Sequence, residues 1–219
     1  AIPGYSICHF ADTAGTFGCL VKKRGDKKSL YILSNSHVLA NSGLGAIGDE
    51  ILQPGPFDGG TTTQDVIASL AEWVPFQFSA AGYPNLVDAA IAKVRSAKSV
   101  TSAIRIVGVP NGVSRTVRRG MQVQKAGRTT DYTIGLIRDV NFRVALSFNM
   151  PGGGKGRVGF RDQVLCTRYS AVGDSGSAVL NKKRQVVGLH FAGSPSTSIF
   201  NRIGDVLDAL QIDIVTIKI

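Results

Sequence analysis

Three residue types that together can activate a hydroxyl stand in separate, well-marked contexts of this chain. Gly173-Asp174-Ser175-Gly176-Ser177 sets a serine between glycines at a tight turn. Such a turn exposes the hydroxyl and brings backbone N–H groups together beside it, as a nucleophile and an oxyanion hole require. A serine hydroxyl is a poor nucleophile at neutral pH and needs an adjacent base to take its proton. His37, in Ser36-His37-Val38-Leu39-Ala40, offers an imidazole whose ordinary pKa lies near operating pH. Asp88 stands at the entry of the apolar run Val87-Asp88-Ala89-Ala90-Ile91. A buried carboxylate there would hold the imidazole tautomer and stabilise the imidazolium as it forms. Asp58 and Asp65 are the alternative carboxylates. The order His…Asp…Ser is one of three that unrelated hydrolases use.

Strands must position these groups. Short Val/Ile/Leu/Thr runs recur between Gly, Pro, Asn and Asp, which predicts an all-β chain with many turns. Residues of about 5–10, 17–23 and 29–34 read as the first strands, and 34–40 leaves a strand into one helical turn carrying His37. A loop follows at 52–60, then strands at 66–76 and 85–94. Residues 95–104 form a short helix or linker, and Pro110-Asn111-Gly112 marks the midpoint between two halves. The second half predicts strands at about 121–126, 132–139, 142–148, 158–166, 176–181 and 185–191, helical spacing over 204–210 and a strand-like tail at 213–219. Pro151 to Gly156 superficially resembles a phosphate-binding loop. It lacks the Gly-Lys-Ser/Thr ending and a following helix, so a hairpin loop is predicted. The sequence shows no internal repeat.

Taken together, the His37, Asp88 and Ser175 motifs resemble those of chymotrypsin-fold serine peptidases. The resemblance implies two Greek-key β-barrels of chymotrypsin type with a short C-terminal helix. An N-terminal barrel, 1–109, would carry His37 and Asp88, and a C-terminal barrel, 110–219, would carry Ser175, with the site in the cleft between them. It implies peptide-bond hydrolysis through an acyl-enzyme: Ser175 attacks, His37 acts as base and then acid, and Asp88 orients it. The N–H groups of Gly173 and Ser175 would form the oxyanion hole.

Further matches point to a bacterial branch. Lys125-Ala126-Gly127-Arg128-Thr129-Thr130-Asp131 is similar to a segment of streptogrisin and α-lytic-type proteases. The run from Gly173 to Gly193 resembles staphylococcal glutamyl endopeptidase, which places a histidine at the position of His190 and a hydroxyl residue at that of Ser170 to contact a glutamate side chain. As a whole the chain is similar to bacterial trypsin-like domains of the plant narrow-leaf type. By this resemblance Asp174 is buried and shapes the hole through a charge partner, for which Lys125 and Arg128 are the candidates. Ala1-Ile2-Pro3-Gly4 does not resemble the Ile-Val-Gly-Gly start that supplies the partner in trypsin. Phe191 stands where trypsin carries a serine supporting the aspartate. No cysteine follows His37, and the acidic pocket floor of trypsin aligns near Tyr169, so cleavage after Arg or Lys is not expected.

Composition sets outer bounds. With 219 residues and 43% hydrophobic content, the chain can bury a substantial core, which excludes a disordered protein. No apolar run is long enough to span a bilayer, and Ala1 opens no basic-then-apolar leader; bacterial cytoplasmic and secreted locations both stay open. Cys8, Cys19 and Cys166 are an odd count. A Cys8–Cys19 bridge across a hairpin and reduced core cysteines are both open, and the latter is favoured. No Cys/His spacing resembles a zinc cluster, and neither metal nor cofactor is expected. The formal charge of +10 is spread over Lys22-Lys23-Arg24 with Lys27-Lys28, Arg118-Arg119 and Lys182-Lys183-Arg184. Each cluster falls at a predicted turn, and Arg24-Gly25-Asp26 reads as a turn alone. Aromatics do not interleave with them, which disfavours nucleic acid and leaves a protein or peptide substrate as the expected partner. A catalytically inactive binding module is the rival reading, and a basic nucleic-acid-binding domain the third.

Overall fold

The computed structural model describes residues 1–26 and 28–219; Lys27, in the first basic cluster, lies outside the described residues. Alternating and wholly apolar runs in the first half form β1 (Ser6–His9), β2 (Gly15–Thr16), β3 (Cys19–Lys23), β4 (Tyr31–Ser34), β5 (Glu50–Leu52), β6 (Val66–Trp73) and β7 (Ala90–Val94). The second half forms β8 (Gln122–Gly127), β9 (Asp131–Asn149), β10 (Lys155–Thr167), β11 (Ala178–Asn181), β12 (Val186–Gly193), β13 (Thr197–Arg202) and β14 (Ile212–Ile214). A one-turn helix α1 (Ser36–Leu39) follows β4, and α2 (Ile203–Leu210) precedes β14.

All strand-to-strand pairs are antiparallel, as expected of hairpin-connected strands. An eight-stranded sheet runs β14-β3-β4-β7-β6-β5-β1-β2, and β10-β13-β12-β11-β8-β9 closes a barrel. The final strand thus joins the first sheet, pairing Ile212 with Lys23 and Ile214 with Val21. α2 makes this return possible. Its Ile203, Val206, Leu207 and Leu210 lie in one apolar core with Leu33 and Ile91 of the sheet and Leu180 and Leu189 of the barrel. Full burial of each such side chain contributes about 1.5–3 kcal/mol, so this shared core ties the two halves firmly together. This mostly β, chymotrypsin-like architecture is the one expected from the sequence.

Two departures have physical reasons. The segments 132–139 and 142–148 are one continuous 19-residue strand, β9, because register shifts against β10 absorb the irregularity without ending the pairing. β13 was not predicted. Its Ser198 and Asn201 are fully buried yet polar, and their hydrogen bonds replace the apolar signal that periodicity would read. All three cysteines are free and buried, and burial pushes the Cys19 and Cys166 thiols up to about 12. No described helix is long and apolar enough to cross a membrane.

Candidate active site

The chain leaves β4 and turns once as α1, which places His37 at the edge of the sheet, while Asp88 sits two residues before β7, the neighbour of β4. Asp88 is fully buried and His37 is partly exposed. The carboxylate meets the helix at two points. Oδ1 accepts the His37 backbone N–H at 3.1 Å, and Oδ2 lies 2.5 Å from Nδ1. An ionised carboxylate only accepts, so Nδ1 carries the proton and Nε2 presents a lone pair. Burial is the largest single influence on the imidazole and pushes its pKa down. The charge and hydrogen bond of Asp88, with a smaller contribution from Asp12, more than reverse this and leave it above 6.5.

Ser175 and His37 line one cleft of about 570 Å³. Among the described residues no hydrogen bond joins the Ser175 hydroxyl to the imidazole; such bonds often tighten only when substrate is bound. The Ser175 turn is braced from the first half by Thr16 of β2. Its hydroxyl donates to Gly173 O at 2.9 Å and its N–H to Ser175 O at 2.7 Å. With the carbonyls taken, the N–H groups of Gly173 and Ser175 donate to no acceptor among the described residues. Gly173 is buried, so an unpaired donor there is costly unless something else accepts it. The turn also depends on its glycines. Gly173 has φ +97° and Gly176 φ +92°, and a Cβ on Gly176 would fall 1.9 Å from Ser34 Oγ.

Asp174 points away from the cleft into a fully buried pair with Lys125, 3.3 Å from Nζ. Oδ1 accepts the N–H groups of Thr129 and Thr130 at 2.9 and 3.1 Å, and Oδ2 accepts the Thr130 hydroxyl at 2.6 Å and the Ala171 N–H at 2.9 Å. Burial by itself would raise this carboxyl, but those donors and the Lys125 ammonium hold it below the usual range. Arg128, the other candidate partner, instead forks onto Asp58 with Nη2 to Oδ1 at 2.6 Å and Nε to Oδ2 at 2.8 Å. That leaves Asp58 bound to Arg128. Asp65 lies in the loop beside Thr61.

The cleft extends past Ser170, His190 and Gly193, and among the described residues no Asp or Glu lines it. His190 is buried, its Nδ1 lies 3.3 Å from the Tyr169 hydroxyl, and desolvation pushes its pKa down to about 3. The Ser170 hydroxyl is 2.6 Å from that of Ser198 on β13. Three lining or supporting groups escaped the sequence reading. Arg168 is exposed at the cleft wall, with its guanidinium 3.4 Å from the carbonyls of Ser170 and Pro195. Phe148, near the end of β9, sets its ring 5.7 Å from that of His37. Asn201 accepts the Asp88 N–H at 3.0 Å. The adjacency of Arg168 to Ser170 was a usable signal for the first; the other two depend on contacts between distant strands.

The family model described as Trypsin matches residues 27–208. No curated protein matches the chain by sequence. Among solved structures, Thermobifida fusca protease A is similar at 17% identity over 98% of each chain, with a TM-score of 0.65. A glutamic-acid-specific serine protease described as using a histidine triad in substrate binding is similar at 16% identity, covering 98% of this chain and 100% of its own, with a TM-score of 0.66. Nocardiopsis protease (NAPase) is similar at 16% identity over 98% of each chain, with a TM-score of 0.65. At these identities the structural likeness establishes the fold.

Proposed function

The chain belongs to the trypsin family of serine endopeptidases, and from that premise we propose that Ser175, His37 and Asp88 carry its reaction, with a preference for acidic residues at the cleaved bond. The observation supporting this most strongly is the cleft shared by Ser175 and His37, with a buried carboxylate on the far nitrogen of the imidazole. Ser175 Oγ attacks the scissile carbonyl carbon as its proton passes to His37 Nε2. The resulting oxyanion is taken by the N–H groups of Gly173 and Ser175; loss of one such donor typically costs about 3 kcal/mol of transition-state stabilisation. Collapse breaks the C–N bond, and the imidazolium returns its proton to the leaving amine. Water then attacks the acyl-enzyme by the same proton route. Asp174, held by Lys125, keeps the turn in shape. On this reading residues 1–109 contribute base and orienter, and 110–219 contribute nucleophile and pocket.

The acidic preference rests on the pocket's charge. Arg168 supplies a cation, Ser170 a hydroxyl, and among the described residues no carboxylate lines the cleft to oppose an incoming one. The Tyr169 phenol, whose pKa is raised well above 10 by burial, stays protonated and lies 3.3 Å from His190 Nδ1, so it adds no negative charge to the pocket. Of the three histidines, His37 lines the same cleft as the proposed base and His9 does not line it, so His190 is the one placed to meet a substrate side chain. Peptide-library profiling of wild type beside Ser175→Ala tests both parts. Cleavage after Glu and Asp, absent in Ser175→Ala, is expected. A preference for aromatic or small residues overturns the pocket assignment, and cleavage retained by Ser175→Ala overturns the triad.

A further inference from the structure

Asp88 is gripped through its backbone by a buried chain of two amides that belongs to the second half. Its N–H donates to Asn201 Oδ1 on β13 at 3.0 Å. Asn201 Nδ2 donates to Gln163 Oε1 on β10 at 2.7 Å. Gln163 Nε2 in turn donates to Leu86 O at 2.8 Å and to Arg161 O at 2.5 Å. Asn201 and Gln163 are fully buried. The polarity of this chain is fixed from both ends. A backbone N–H can only donate, so the atom facing it must be Asn201 Oδ1. That puts Nδ2 against Gln163 Oε1 and leaves Gln163 Nε2 facing carbonyls, which can only accept. Each amide is thereby locked in a single orientation, and the chain closes on the segment where it began, at Leu86 and Asp88.

The barrel is locally shaped for this grip. The β9–β10 register shifts between Phe160 and Gln163, with Asp162 between them at φ +60°. Such irregularities re-aim the side chain that follows. From the first half, Asn35 Nδ2 donates to Asp88 O at 2.7 Å, so both backbone polar groups of Asp88 are held, one from each side of the interface. The side chain at 191 is a phenylalanine packed on Phe160 and offers the carboxylate no hydroxyl.

We propose that Asn201, oriented by Gln163, is a positioning residue for the reaction: it fixes the Asp88 backbone so that the carboxylate meets His37 only when the two halves are docked. This rests on the reading of Asp88 as the orienter of His37. A misplacement of about 1 Å in such a group can cost about 100-fold in rate. The test is Asn201→Leu, which keeps the volume and removes the acceptor, compared with Asn201→Asp, whose buried carboxyl, kept protonated by desolvation, retains an acceptor for the Asp88 N–H and an O–H donor for Gln163 Oε1. Asn201→Leu should lower kcat by about 100-fold with KM changed little, as expected for lost alignment rather than lost binding. It should also remove the downfield proton resonance of His37 Nδ1–H from the NMR spectrum of the folded protein. Asn201→Asp should recover most of the lost kcat and the resonance. If Asn201→Leu does not fold, Asn201→Asp alone decides: loss of both kcat and the resonance in a folded protein overturns the proposal. A folded Asn201→Leu with unchanged kcat overturns it equally. Ser175→Ala run alongside separates the two claims, since its inactivity together with an active Asn201→Leu would defeat the positioning role and leave the triad standing.

Discussion

His9 and His37 each meet an aspartate in the first half of the chain, His9 through Nε2 to Asp49 Oδ2 at 2.9 Å and His37 through Nδ1 to Asp88 Oδ2 at 2.5 Å. Both imidazoles are backed by a carboxylate, yet they differ in what is left over. His9 spends its second nitrogen locally, where Nδ1 accepts the Ala11 N–H at 3.2 Å, and its ring is buried against Phe10. His37 keeps Nε2 uncommitted among the described residues and opens onto the cleft of Ser175. The carboxylates differ too. Asp49 is partly exposed and shares Oδ2 with the Ala46 N–H, whereas Asp88 is fully buried and held by both halves. A histidine–aspartate contact is therefore not a catalytic signature in itself. Capacity for proton transfer lies in the nitrogen that folding leaves unbonded and in what that nitrogen faces.

The comparison can be broken by exchanging the two carboxylates' chemistry. Asp88→Asn should have the larger effect, lowering kcat by about 10⁴-fold, because an amide can donate to Nδ1 and force the proton onto Nε2, where the base lone pair is needed. pH dependence sharpens the same point. On the proposed mechanism activity requires neutral His37, and Asp88 raises the imidazole's pKa, so kcat/KM should rise with pH through a midpoint above 6.5 in wild type and a lower one in Asp88→Asn. A midpoint that ignores the substitution would show that Asp88 does not set the protonation of the base. Asp49→Asn should do far less. We expect kcat/KM within a few-fold of wild type and a stability loss of about 1–3 kcal/mol by denaturant titration, the cost of disturbing a part-buried hydrogen bond. If Asp49→Asn reduced turnover as deeply as Asp88→Asn, the distinction between the pairs would fail.

What the sequence revealed follows the same division. The glycine-bounded serine turn, the apolar strands and the helical turn carrying His37 were legible because each is a local pattern. So was the burial of Asp174, though only by resemblance; two basic candidates stood nearby, and the fold pairs Lys125 with Asp174 and sends Arg128 to Asp58. The surroundings of Asp88 were not legible. Asn201 lies 113 residues away in a strand whose buried polar side chains break the hydrophobic alternation. Gln163 is aimed by a register shift that no propensity encodes. The return of β14 to the first sheet was hidden for a related reason, since alternation predicts a strand but not its partner.

The central claim, that Ser175 is made reactive by His37 with Asp88 behind it, is tested most directly by the rate and site of fluorophosphonate labelling, read by mass spectrometry on wild type and His37→Ala. The account predicts one adduct, on Ser175, formed rapidly by wild type and lost in a folded His37→Ala. An adduct on another residue, or labelling of Ser175 at the same rate without His37, would contradict it.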